Sequence, residues 1–389
     1  MSSFNDFINN KPLYYKEIDY TRVHRAYRML KPHIKKPKIV HIIGTNGKGS
    51  TGRVMATLLH HQNVRVGHFS SPHILKFNER IWIDGEDISN SALDKAHSRL
   101  YEILGQNMSE ALSYFEYTTL LALVAMEELE IILLEAGLGG EFDATSVVDR
   151  DLSVITPIGL DHQAFLGDTI KEIATTKINS IQKRAIVGLQ PDIEVYKVAK
   201  DIARLKNAKL YLLKELYDKK EAQELKRLTQ DLGWSDYLYE NALLAINSLG
   251  ILGYSYDINN LKKVKLFGRF YSIAPNIIID VGHNLLATEA ISKALSAKFG
   301  DKKIVLVYNS LDDKDYIDIL KKLKKHIKRV EIIPIMTQRA LDITLLQNEL
   351  KRLSIESNLF KNINNNEDYL VFGSFYVVEA FLKRELLKK

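Results

Sequence analysis

A chain of 389 residues exceeds one ordinary hydrophobic core, so two domains are expected, and 46% hydrophobic with 26% charged residues is the balance of a soluble globular protein. The absence of cysteine excludes disulfides, thiolate nucleophiles and cysteine–zinc sites. No run nears the roughly 20 apolar residues of a membrane span, and the start Met1-Ser-Ser-Phe-Asn-Asp is not a signal peptide, so the expected compartment is the cytoplasm. The 54 basic against 48 acidic residues leave a net charge of +6, spread along the chain without stacking aromatics; lysine-rich composition explains it first, small acidic ligands second, and nucleic acid is not expected.

The first element is an apolar run, Ile39 to Ile43, that reads as a buried strand and breaks at Gly44. From Thr51 the spacing of Val54, Met55, Leu58 and Leu59 predicts a helix. Between them lies Gly44-Thr45-Asn46-Gly47-Lys48-Gly49-Ser50, and a glycine-rich turn between strand and helix is the context of a phosphate-binding loop. Backbone N–H groups and the helix dipole would meet an anion there. Lys48 would reach the β/γ-phosphates of a nucleoside triphosphate, and the Ser50 hydroxyl is placed to ligate Mg²⁺. The spelling departs from G-x-x-x-x-G-K-[ST], because Ile42 stands at the first glycine position.

A strand at 64–69 then ends in Ser70-Ser71-Pro72-His73, followed by Phe77-Asn78-Glu79-Arg80-Ile81. The strand 130–135 finishes on Glu135 before three glycines, a carboxylate placed to ligate Mg²⁺ beside a phosphate loop, with capping or pairing to Lys48 as the structural alternative. The strand 152–156 leads to Asp161-His162. A lone histidine is more often structural, but its place after a strand makes metal ligation an equal reading. Strands at 185–188 and 208–213 follow, then a helix near Tyr237 to Leu249 and a turn-rich stretch, Gly250 to Asn260. A second series has strands near 277–281, 303–308, 330–334 and 369–373, with helices at 285–299, 314–326, 341–353 and from Phe375. Asp318 to Arg329 reads as a solvated helix face and Asn362 to Asn366 as a loop.

This alternation predicts an α/β protein with mainly parallel sheets and helices on both faces, divided into residues 1–265 and 266–389. The polar clusters stand at carboxyl ends of strands, where open parallel sheets bind ligands, so a cleft between the two domains is the expected site.

Seven motifs occur in one order: GTNGKGS, SSPH with FNERI, SYFEYTT, LEAGLGGEFDAT, GLDHQAFLG, FGRF and DVGHN. Together they resemble the folylpolyglutamate synthase/dihydrofolate synthase family of the Mur-ligase superfamily, from Ile18-Asp19 to the FGSF at 372–375. The resemblance implies a P-loop ATP-binding domain followed by a smaller Rossmann-like domain. It puts the ATP loop on Thr45, Asn46, Gly47, Lys48, Gly49 and Ser50, and metal ligands on Ser71, Glu135 and His162. Lys177 matches a lysine that is carbamylated in the family, although Ile178-Asn179 follow it where Ala-Gly is usual. Asn241, Arg269 and Asp280 match further ATP contacts, with His283 in the same loop; read alone they would be a helix cap, a surface arginine and a strand-end turn. Pterin-side contacts fall on Ile18, Asp19 and Tyr20, on Ser113, Tyr114 and Phe115, and on Phe142, Asp143 and Ala144, with packing an equal reading for the aromatics.

The implied activity is an ATP- and Mg²⁺-dependent ligase, a monomer, with Lys48, Lys177 and His162 in the catalytic machinery. It would join L-glutamate to dihydropteroate and to reduced folates. A folylpolyglutamate synthase alone is the near alternative, and a muramyl-peptide ligase or a P-loop nucleotide hydrolase a more distant one.

Overall fold

The computed structural model describes residues 3–11 and 19–386. The chain divides into two compact units, one of residues 1–228 with 240–264 and the other of 229–239 with 265–389.

The first unit is built on an eight-stranded sheet. Its strands are β1 (Lys38–Ile43), β2 (Val66–Phe69), β3 (Ile81–Ile83), β4 (Glu86–Asp87), β5 (Ile131–Glu135), β6 (Leu152–Ile155), β7 (Arg184–Val187) and β8 (Lys209–Leu212), in the order β4-β3-β2-β5-β1-β6-β7-β8. Pairing is parallel from β2 through β8, whereas β3 and β4 form an antiparallel edge. β2, β5 and β6 are buried along their whole length, which is the pattern of strands covered on both faces. One apolar cluster joins Ile39, Ile132 and Leu134 to helices Arg22–Leu30, Asn90–Ala111 and Tyr114–Ala125. Another joins Ile43, Ile155 and Val187 to helices Ile170–Ile178 and Ile193–Leu205.

The second unit has a six-stranded sheet of β9 (Tyr271–Ala274), β10 (Ile277–Ile279), β11 (Ile304–Tyr308), β12 (Ile327–Ile332), β13 (Ser357–Leu359) and β14 (Tyr369–Phe372). The order is β13-β12-β11-β14-β10-β9, parallel except for the β9 edge. Its core gathers Ile278, Leu306, Val330 and Leu370 with Ile291, Leu295, Leu320 and Leu346 from the helices.

One expectation is corrected in this unit. The charged stretch 318–329 is not one helical face: the helix Tyr316–Leu323 and a 3-10 turn, Lys324–His326, end before β12 begins at Ile327. Arg329 stands in that strand and pairs with Glu331 at 2.6 Å and Glu367 at 2.7 Å. Sheet pairing and these carboxylates outweigh the helix propensity of a lysine-rich run. Among the described residues no helix is long and apolar enough to cross a membrane.

Candidate active site

β1 ends at Ile43 and the chain turns through residues 44–47 into the helix Lys48–His60. Gly44 and Gly47 adopt φ of +147° and +88°. A Cβ at Gly44 would overlap the Thr156 hydroxyl, and one at Gly47 the carboxamide of Asn241, so both backbone angle and space require glycine. The turn is held from the end of β6. The amides of Thr45 and Asn46 donate to the Pro157 carbonyl at 2.9 and 3.2 Å, and the Thr45 hydroxyl donates to the Gly159 carbonyl at 3.1 Å. The helix has no side-chain cap and no acidic residue in its first turn, so its N-terminal amides keep their positive field for an anion.

Strand register assembles the charges around this loop. β5 pairs with β1 so that Glu135 stands opposite Ile42, two residues before Gly44. Lys48 Nζ donates to the carbonyls of Gly44 and Thr45 at 3.3 and 3.2 Å and lies 3.9 Å from Glu135 Oε1. The other oxygen of Glu135 accepts the Ser71 amide at 3.2 Å. Lys177, only 4% exposed, donates from Nζ to the Gly44 carbonyl at 3.0 Å. Burial first and the Lys48 charge second push its ammonium down to about 7, against the opposing pull of Asp161 and Asp143.

The buried Ser50 hydroxyl finds no hydrogen-bond partner among the described residues, nor does the Asn241 amide nitrogen. Asn241 is no helix cap: it lies inside the helix Asp236–Leu252, against Gly47. His162 begins the short helix Gln163–Leu166 in the left-handed region, φ 53°, with Nε2 3.9 Å from Asp161 Oδ1. It stands three residues after Gly159, whose amide donates to the Thr45 hydroxyl.

Among the described residues no group of three or more histidine and acidic side chains is gathered for a metal. The orphaned Ser50 oxygen and the Glu135 carboxylate still fit Mg²⁺, which uses one or two carboxylates and takes its other oxygens from phosphate and water.

In the second unit, Asp280 follows β10, and burial raises its carboxyl pKa. It accepts the Phe270 amide at 2.8 Å, the Gly282 amide at 2.7 Å and the Tyr237 hydroxyl at 3.0 Å. These bonds tie the FGRF turn, where Phe270 has the unfavourable φ of 44°, to the DVGHN loop. Arg269 donates to the Gly268 carbonyl at 3.1 Å and lies over the Phe375 ring, 5.3 Å from its centroid. The His283 ring nitrogen Nδ1 meets the Val281 carbonyl at 3.1 Å.

The residues expected on the pterin side divide into exposed rings and loop fasteners. Ile18 lies outside the described residues. Tyr20 and Phe142, both exposed, place their rings 4.7 Å apart. Asp19 accepts from the Thr21 amide and hydroxyl and pairs with Arg25 at 2.9 Å. Asp143 is buried beside Ala144 and accepts the amides of Leu138 and Thr145, closing its loop. Ser113 caps the helix Tyr114–Ala125, with Glu116 returning the bond, and Phe115 packs against Gly137 and Phe69.

Three side chains enter this geometry without a role assigned from sequence: Thr156, Tyr237 and Arg80. Arg80 is buried, donates from Nε to His73 Nδ1 at 2.8 Å, and lies over the Phe77 and Tyr114 rings. The FNERI motif was its only signal; Tyr237 had none, because its partner is 43 residues away.

No protein-family model matches the chain. It is 30% identical over 391 residues to the dihydrofolate synthase/folylpolyglutamate synthase of Haemophilus influenzae, covering 89% of this chain and 88% of that one. The crystal structure of Helicobacter pylori folylpolyglutamate synthetase superposes with a TM-score of 0.79 and 36% identity over 98% of both chains. A bifunctional folylpolyglutamate synthase/dihydrofolate synthase from Yersinia pestis, complexed with AMPPNP and a Mn ion, gives 0.81 and 25% identity over 98% of this chain and 97% of that one.

Proposed function

Because the chain belongs to the dihydrofolate synthase/folylpolyglutamate synthase family, we propose that its phosphate loop activates a pteroyl or folyl carboxylate with ATP for attack by L-glutamate. It is an ATP-dependent ligase that adds L-glutamate to dihydropteroate and to reduced folates. The observation that carries the site assignment is the gathering of Lys48, Glu135 and Lys177 at Gly44, at the carboxyl edge of a parallel sheet.

A carboxylate is a poor electrophile. In the first step an acceptor carboxylate oxygen attacks the γ-phosphorus, the bond to the β-bridging oxygen breaks, and ADP leaves. The glutamate amine then attacks the acyl carbon, phosphate departs with the carboxyl oxygen, and the amine loses a proton. Lys48 and the amides of the loop balance the charge on the transferring phosphoryl group. Ser50, Ser71, Glu135 and His162 would hold Mg²⁺, which supplies further neutralisation of the phosphates. Arg269 and His283 serve the nucleotide as polar groups, while Asp280 holds their loops in place. Asn241 offers its amide to the nucleotide beside Gly47.

Lys177 is the residue to carry a carbamate. Its depressed pKa leaves a neutral amine that can bond to CO₂ and release a proton, turning a buried cation into an oxygen ligand. On the acceptor side, Tyr20 and Phe142 offer aromatic faces to a pterin, with Ile18, Asp19, Ser113, Tyr114, Phe115, Asp143 and Ala144 shaping that region. This reading includes a cytoplasmic location and a monomeric state, the second of which gel filtration of the purified protein tests.

The decisive experiment is ADP release with Mg-ATP, L-glutamate and one acceptor at a time. Dihydropteroate and a reduced folate should each support it. If only the folate does, the enzyme is a folylpolyglutamate synthase alone, the activity for which the Helicobacter pylori structure is named.

A further inference from the structure

The helix Phe4–Asn9 docks through aromatic rings: Phe4 lies 4.6 Å from Phe77, and Phe7 lies 4.8 Å from Tyr117 and 4.9 Å from His97. Its first amide donates to Asp94 at 2.8 Å. The chain then carries Lys11 across the end of the helix Asn90–Ala111. There its ammonium donates to the carbonyls of Ser109 at 2.6 Å, Leu112 at 2.8 Å and Glu110 at 3.3 Å. Carbonyls at a helix C-terminus lack intrahelical partners, and a cation there also complements the dipole. Three donors meet three acceptors, so the ammonium is fully used. It also lies 4.7 Å from the Phe7 ring centroid and 5.2 Å from that of Tyr117.

The residue after Leu112 is Ser113, the cap of the helix that presents Tyr114 and Phe115. A side chain about a hundred positions away in sequence thus fastens the carbonyls that lead directly into the acceptor segment. We infer that Lys11 is a positioning residue for the acceptor: it holds Ser113–Phe115 in register and sets affinity for the pteroyl or folyl substrate without touching reacting atoms. The inference rests on the assignment of Ser113–Phe115 to the acceptor.

The bond is also pH-sensitive. Burial lowers the Lys11 ammonium to about 8; Glu110 and Glu116 oppose that fall and Arg22 adds to it. Other titratable groups on these elements include Asp6, Asp94, His97, Tyr101, Tyr114 and Tyr117, the last two with their phenols raised by burial. Loss of the proton removes one donor and the charge, so acceptor affinity should weaken as pH passes 8.

Steady-state kinetics on the full chain test this. Lys11→Met keeps the apolar stem and should raise the acceptor KM about tenfold, the scale of lost charge-assisted bonds, with kcat and the ATP KM within about twofold. In the wild type the acceptor KM should climb between pH 7 and 9. It should stay flat and high in Lys11→Met, and flat and low in Lys11→Arg, whose cation does not titrate there. A wild-type KM in Lys11→Met, or a pH rise that survives in Lys11→Arg, overturns the inference. The arginine variant decides alone if the methionine variant does not fold. Tyr114→Leu checks the underlying assignment separately: an unchanged acceptor KM in that variant removes the segment from the acceptor site whatever Lys11 does.

Discussion

At Lys177 a pKa of about 7 in the fold, against an ordinary 10.5, has two consequences. The unfolded chain binds the proton more tightly, so the buried cation costs stability in full below about pH 7, and the cost fades as pH rises toward 10.5. Lys177→Met should therefore melt higher than the wild type at pH 6, with the gap narrowing by pH 9 in thermal scans under CO₂-free buffer. Under the proposed carbamate the same neutral amine would make the enzyme sensitive to CO₂. Activity should fall on exhaustive CO₂ removal and return with bicarbonate, and full activity without CO₂ removes the carbamate from the account. The role proposed for Lys48 is different and acts through charge on the transferring phosphoryl group. Lys48→Ala should lower kcat by about a thousandfold, in the range found when a single transition-state donor is removed. Its ligand-free melting temperature should hardly move, since its partners are two loop carbonyls and the edge of Glu135.

Elements set the precision of the site. Gly47→Ala would strain a φ of +88° and push a methyl into Asn241, disturbing the loop and the helix behind it together. Its ATP KM should rise more than its acceptor KM; equal rises in the two would mean that Asn241 does not serve the nucleotide. In the second unit, β12 is tied to the turn before β14 by Arg329 between Glu331 and Glu367. These bonds to Arg329 first, and that to Lys328 second, hold the Glu367 carboxyl down at about 2. A depressed carboxylate stabilises above its unfolded pKa and loses that contribution as pH falls through its folded value. Arg329→Met should thus be less stable at pH 7, by about 1 kcal/mol for a partly exposed network. Its melting deficit should shrink steadily from pH 5 downward, and a deficit independent of pH would mean that lost packing of the arginine stem is the cause.

For the molecule as a whole, ligand linkage reports whether the proposed nucleotide site exists in the folded chain. Mg-AMPPNP at a hundred times its Kd should add about 2.7 kcal/mol to unfolding free energy, and chelation of the metal should remove most of that gain. Absence of any thermal shift at saturating nucleotide would mean that the folded chain does not bind it. The two sheets share one logic. Parallel central strands are buried on both faces, and polar groups collect beyond their carboxyl ends, at Gly44, Glu135 and His162 in one unit and at Asp280 and Ser374 in the other. Open parallel sheets take ligands beyond those ends, where the ladder of paired strands stops, while the strands themselves are committed to pairing.

What the sequence by itself determined is local and periodic. The runs at Ile39–Ile43, 130–135 and 303–308 are apolar enough to be strands in any burying context. The loop 44–50 carries its own chemistry in contiguous residues, because backbone amides and three glycines between a strand and a helix make an anion site. The tertiary structure alone decided β3 and the edge strands β4, β9 and β13. Such strands as Glu86–Asp87 and Ser357–Leu359 have no apolar run and exist only because a neighbour offers them hydrogen bonds. It also decided every long-range meeting in the site. Lys177 resembles any other lysine until the fold sets it on Gly44, 133 residues away. Tyr237 comes to Asp280, and Lys11 to Ser109, in the same way. Distance between such groups depends on the path of the whole chain, and their charge depends on the water that the path excludes, so neither quantity is present in the residues around them.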